Sequence, residues 1–234
     1  MKTLKTLIGA TLLTVAPLAA ANIQYTFYAS GVTENYAQQG LAVFNFSDDG
    51  SSLSITLTDT VSPTAAIESE ISGLSFELSF APTSMSLVSV TASSVIDCSN
   101  SSSPCPPGAG SSPYGWGVTQ NGGTGTLGAG YNGSGFSSEP YGIVNANYLS
   151  SPGGGGLSTP SNNPLLVGPV TFTFALTGLS FAPEVGSVVF AFGDPIPLPA
   201  VAVAEPQSLA LIAIGLLGVA WVARRRDAGT EKHR

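Results

Sequence analysis

Between residues 22 and 204 the side chains able to do acid–base or ligand chemistry are almost all carboxylates: Glu34, Asp48, Asp49, Asp59, Glu68, Glu70, Glu77, Asp97, Glu139, Glu184 and Asp194. Every lysine and arginine stands at position 2, 5, 224, 225, 226, 232 or 234, and the single histidine is His233. Eleven acids against no base give this body a formal charge of −11. Paired carboxyl groups can hydrolyse a glycosidic bond when they face each other across about 5–10 Å. Glu68 and Glu70 are the candidates for such a pair, although alternate acids beside a strand more often form a solvated face. Asp48 and Asp49 offer oxygen ligands to a hard cation such as calcium. No EF-hand or nonapeptide spacing surrounds them, and a hairpin turn is their simpler use. Tyr114 and Trp116 could stack on sugar rings as an amphipathic platform, with packing the more general role of such residues. No cofactor or resident metal is expected.

The missing cations exclude more than the carboxylates suggest. A body without lysine or arginine has nothing with which to displace counterions from a polyanion, so nucleic acid and acidic polysaccharide are poor partners. Neutral glycans, cations and proteins remain. Serine and cysteine hydrolases need a histidine or lysine base, and zinc sites built on histidine are equally unavailable. The expectation is therefore a body that is not an enzyme, with a neutral-glycan-binding module as the alternative and a carboxylate-dependent glycoside hydrolase behind it. Cys98 and Cys105, in DCSNSSSPCPPG, predict a local disulfide if the compartment is oxidising.

These residues need a scaffold, and the pattern reads as strands. Leu41–Phe46 and Leu53–Leu57 flank the turn Ser47-Asp48-Asp49-Gly50 and predict a β-hairpin. In Leu74–Phe80, Leu74, Phe76, Leu78 and Phe80 share one face, with Ser75, Glu77 and Ser79 on the other. Further strands are expected at Ile23–Ala29, Met85–Thr91, Tyr141–Leu149, Val170–Leu176 and Ser187–Phe192. The fold class is mostly β: an antiparallel β-sandwich, jelly-roll or immunoglobulin-like, spanning 22–193. Within it, residues 99–164 hold sixteen glycines and eight prolines and read as long loops around one or two strands. Residues 194–204 (DPIPLPAVAVA) read as an extended, proline-rich spacer. The sequons at Asn45, Asn100 and Asn132 match the N-glycosylation pattern, and the sequence does not show that any is modified.

The two ends carry topogenic patterns. Residues 1–21 combine Lys2 and Lys5, an apolar run from Thr6 to Val15, and small residues at Ala19–Ala21, the three parts of a signal peptide cleaved after Ala21. Ser208–Ala223 is a run of sixteen uncharged residues, about 24 Å long as a helix and slightly short of a hydrocarbon core of roughly 30 Å. Arg224, Arg225 and Arg226 follow it directly and place residues 227–234 on the cytoplasmic side. Trp221 suits the interface beside them.

The tail AEPQSLALIAIGLLGVAWVARRR resembles the PEP-CTERM sorting signal. Glu205 and Pro206 match the end of the Pro-Glu-Pro motif, Leu209–Ala223 the helix, and Arg224–Arg226 the basic stop; Ala204 and the extra tail depart from the usual pattern. The resemblance covers about the last thirty residues of the chain. It implies an exported protein of a Gram-negative bacterium, held transiently in the inner membrane and processed by signal peptidase and an exosortase. It then implies delivery to the cell surface or extracellular matrix, alongside extracellular polysaccharide.

Overall fold

The computed structural model describes residues 23–33, 36–64, 66–99, 105–129, 140–148, 157, 160–193 and 196–203. From the N-terminal side the strands are β1 (Ile23–Thr33), β2 (Tyr36–Phe46), β3 (Ser52–Asp59), β4 (Ile71–Leu78) and β5 (Ser84–Thr91). The middle of the chain adds β6 (Ser94–Ile96), β7 (Gly117–Asn121), β8 (Thr124–Gly128), β9 (Ile143–Val144) and β10 (Leu165–Val167). The last four are β11 (Val170–Thr177), β12 (Val185–Phe192), β13 (Ile196–Pro199) and β14 (Val201–Val203). One sheet has the order β14-β1-β2-β3-β11-β5; the other runs β13-β12-β4-β9-β10-β6, with β8 also paired to β4 and β7 to β8. All pairings are antiparallel except β9 with β10.

Period-2 alternation builds the core. Ala42, Phe44 and Phe46 of β2, Leu53, Ile55 and Leu57 of β3, and Val170, Phe172, Phe174 and Leu176 of β11 are all buried, while the residues between them are not. They meet Leu74, Phe76 and Leu78 of β4 and Phe190 and Phe192 of β12 in one cluster. Phe44 and Phe76 cross between the sheets edge to face, with ring centroids 5.3 Å apart, the geometry the aromatic quadrupole favours. Gly40 is the gap that lets the sheets approach, because a Cβ there would overlap the Phe190 ring.

The expected hairpin is present: Phe46 pairs with Leu53 and Ala42 with Leu57. The alternation of Leu74–Phe80 holds as far as Leu78, but the strand ends there, and Phe80 lies exposed in the following loop instead of in the core. The glycine-rich middle contains more order than its composition suggests. Gly122 and Gly123 close a two-residue hairpin between β7 and β8, with Gly122 at φ 59°, where glycine avoids the Cβ penalty. Of the expected strand Tyr141–Leu149, the described residues 141–148 hold the two-residue β9 and an isolated bridge from Tyr148 to Thr64. The expected spacer is incorporated into the body as well. Its β13 pairs with β12 and its β14 with β1, each at the edge of a sheet. Pro197 and Pro199 are tolerated because an edge strand has no second neighbour to receive their missing N–H groups.

Candidate functional site

Chain direction gives the body two unlike poles. At one pole lie the start of β1, the 47–51 turn, the 79–83 and 178–184 loops, and the β7–β8 turn. The register that places them there is Ile23 opposite Phe46, Ser84 opposite Thr177, and Val185 opposite Leu78. β14 runs toward the same pole, with Val203 opposite Thr26. Both topogenic ends therefore join the body at this pole.

At the opposite pole the inward faces of three strands turn polar. Gln38 continues the inward face of β2, Asp59 ends that of β3, and Glu70 and Ser72 begin that of β4; all four are buried. Glu70 is 0% exposed, so this position does not lie on the expected solvated face. The physical reason is the 3-10 turn Ile67–Ser69, which feeds Glu70 directly into β4. That turn is fastened by Gln38 Nε2 donating to the Glu68 carbonyl at 3.0 Å and Ser69 Oγ donating to the Ala37 carbonyl at 2.7 Å. Gly142 faces the Glu70 carboxyl, and any Cβ there would overlap it.

Asp59 is 0% exposed but accepts from Thr64 Oγ1 at 2.5 Å, the Val61 amide at 2.8 Å and the Asn145 amide at 3.2 Å. Desolvation outweighs these bonds and pushes its carboxyl up to about 7. Neither carboxyl oxygen of Glu70 has a hydrogen-bond partner. Desolvation raises it well above the usual carboxylate range, and the charges of Asp59 and Glu68 add to this. With no lysine, arginine or histidine between residues 22 and 204, a proton is the neutraliser the body itself can offer. Burial thus biases Glu70 toward its protonated form and encloses it away from solvent in this conformation.

The remaining predicted residues are distributed around the body. Asp49 Oδ1 accepts from Ser47 Oγ at 2.7 Å and from the Ser51 amide at 2.9 Å, which closes the turn and lowers its carboxyl to about 2. Asp48 is exposed beside it. Among the described residues no group of three or more His, Cys, Asp or Glu is arranged to hold a metal ion. Cys98 and Cys105 form a disulfide with Cα atoms 4.8 Å apart. It lies in a small second core with Ile96, Val144, Leu157, Leu165 and Val167, where Asn163 Oδ1 accepts from the Cys98 amide at 2.7 Å.

Trp116 is 3% exposed. Its ring packs 4.7 Å from that of Phe172, and its Nε1 donates to the Tyr141 carbonyl at 2.9 Å. Tyr114 is half-buried, and its ring lies 5.8 Å from that of Tyr141. These aromatics are spent on internal packing. The exposed pair is instead Phe80 and Phe181, 54% and 53% accessible, stacked edge to face at 5.1 Å. They flank a groove of about 310 Å³ that also involves Ala81, Gly178, Leu179 and Ser180, at the pole where the tail leaves. Phe181 is indistinguishable in sequence from a core phenylalanine, and alternation assigned Phe80 to the wrong face.

The signal-peptide residues and Glu205, Pro206 and Arg224–Arg226 lie outside the described residues. No helix among the described residues is long and apolar enough to cross a membrane. Residues 202–226 match the family model for the PEP-CTERM protein-sorting motif, so the match begins within β14. The motif marks an exported protein sorted by an exosortase to the envelope or surface of a Gram-negative bacterium. No curated protein and no solved structure matches the chain.

Proposed function

We propose that this protein works outside the cell as a non-catalytic surface or extracellular-matrix component, delivered in two steps by its two ends. Signal peptidase removes residues 1–21 during export. The apolar segment 208–223 then holds the body at the inner membrane, with Arg224–Arg226 on the cytoplasmic side. The exosortase acts near Glu205 and Pro206, and the released or transferred body becomes a surface or matrix constituent among neutral polysaccharides or proteins.

The observation that carries this reading is the sorting motif at 202–226, which starts in the last strand of the body. The cation-free composition supports a passive role, because it removes the usual bases of hydrolytic catalysis. Trp116, one of the two residues named for glycan stacking, is buried, which favours the surface-component reading over a glycan-binding module.

Substitution of Arg224–Arg226 by glutamine, and separately of Glu205 and Pro206 by glutamine and alanine, tests the proposal. Export should continue while the body accumulates in the membrane fraction. Unchanged arrival at the surface with unchanged processing would contradict it.

A further inference from the structure

We infer that, before sorting, the tail pole of the body rests on the outer face of the inner membrane, with Phe80 and Phe181 inserted at the lipid headgroup–acyl boundary. The inference rests on the reading of segment 208–223 as membrane-inserted.

Tether length is the first argument. Val203 is the last strand residue, and four residues, Ala204 to Gln207, separate it from the apolar run. Fully extended, the five Cα-to-Cα steps from Val203 to Ser208 span at most about 18 Å. The headgroup layer occupies roughly 5–7 Å of that. Segment 208–223, about 24 Å long as a helix, is also shorter than the hydrocarbon core, a mismatch met by local thinning of the bilayer. The pole has little room to stand away from the bilayer.

The second argument is what this pole exposes. Phe80 and Phe181 are half exposed and stacked on each other, and Ile23 and Val203 are exposed where the two chain ends join the body. Phenylalanine has no polar tip to satisfy, so its transfer from water to the boundary is favourable. The 178–184 loop that carries Phe181 is braced by the 47–51 turn, since Gly50 lies directly under the Phe181 carbonyl. At the same pole Asp48, Asp49, Glu77 and Glu184 are exposed. These carboxylates set the lipid preference: zwitterionic headgroups should be tolerated and anionic ones should oppose contact. Two phenyl rings alone hold weakly, so the contact depends on the high effective concentration imposed by the tether. Sorting, by cutting the tether, would also release the pole.

The test uses the full chain reconstituted in phosphatidylcholine vesicles containing brominated lipid, which quenches tryptophan near the boundary. In the unmodified chain, quenching of Trp221 reports insertion of the tail, because Trp116 is buried in the body. In a Trp221→Phe background, Phe181→Trp or, as an independent second reporter, Phe80→Trp reports docking. Val32→Trp, at the opposite pole where Val32 is 72% exposed, is the reference. We expect quenching at positions 80 and 181 to exceed that at 32 severalfold and to fall when anionic lipid replaces phosphatidylcholine. Trp221 quenched with positions 80 and 181 no more quenched than 32 would overturn docking and leave the tail reading standing. Trp221 unquenched would overturn both. An emission shift at position 181 with a neutral oligosaccharide, and none with lipid, would overturn docking and reassign the patch to a sugar.

Discussion

Thr26 of β1 stands opposite Val203 of β14, in a ladder that also pairs Phe27 with Ala202 and Tyr28 with Val201. The first and last described strands are therefore neighbours at one sheet edge. β14 is three residues long with all side chains exposed, and each backbone hydrogen bond contributes only about 0.5–1.5 kcal/mol net. The sorting match beginning at residue 202 thus overlaps a short, exposed edge strand held on one side alone.

The buried acids predict an unusual pH profile. Folded Asp59 and Glu70 keep protons that their unfolded counterparts lose near pH 4. The folded state therefore binds more protons, and stability falls as pH rises. That loss runs from about pH 4 through about 7 for Asp59, and Glu70, raised well above the usual carboxylate range by burial, adds to it with the same sign. Asp49 and Asp97 are held low by hydrogen bonds from Ser51 and Ser99 respectively. They act oppositely, below the unfolded range, and as exposed groups contribute little. Urea midpoints should decline from about pH 5 to pH 8, and Glu70→Gln should make that decline shallower. A flat wild-type profile over this range would contradict the protonated reading.

Trp116→Ala should destabilise the body by about 3–5 kcal/mol, the usual cost of emptying a large aromatic site in a core, because the indole packs on Phe172 and bonds to the Tyr141 carbonyl. Chemical denaturation measures this directly. A change below about 1 kcal/mol would mean that the ring is not a core element.

Loss of the disulfide should cost less. The bridge closes a loop with a sequence separation of seven, for which chain entropy gives about 2 kcal/mol. Cys98→Ser with Cys105→Ser should lower the urea midpoint by a matching amount and leave the sorting pattern unaltered.

Much of the architecture was legible because it rests on strict alternation. The β2–β3 hairpin and the inner face of β4 follow from apolar residues at every second position. β13 and β14 were not legible, because prolines in a short segment read as a spacer until a sheet edge is found that tolerates them. The β7–β8 hairpin was hidden by glycines that also fit an unstructured loop. Glu70 shows the limit most clearly. Its inward orientation depends on a 3-10 turn and on Gly142 lying across from it, neither of which local pattern reveals. At the exposed pole, Phe80 has the parity of a core residue but follows the last residue of its strand. The sorting tail, by contrast, was readable through its resemblance to the PEP-CTERM signal, whose Glu-Pro motif, apolar run and arginine stop stand in order in the sequence.

The central claim is delivery by two successive cleavages, and the intact mass of the protein recovered from the cell surface or medium, with and without the exosortase, tests it most directly. The account predicts loss of residues 1–21 in both strains, and loss of the region beyond about residue 205 only where the exosortase is present. Retention of the whole tail in both strains would contradict it and make the protein a permanently membrane-anchored one.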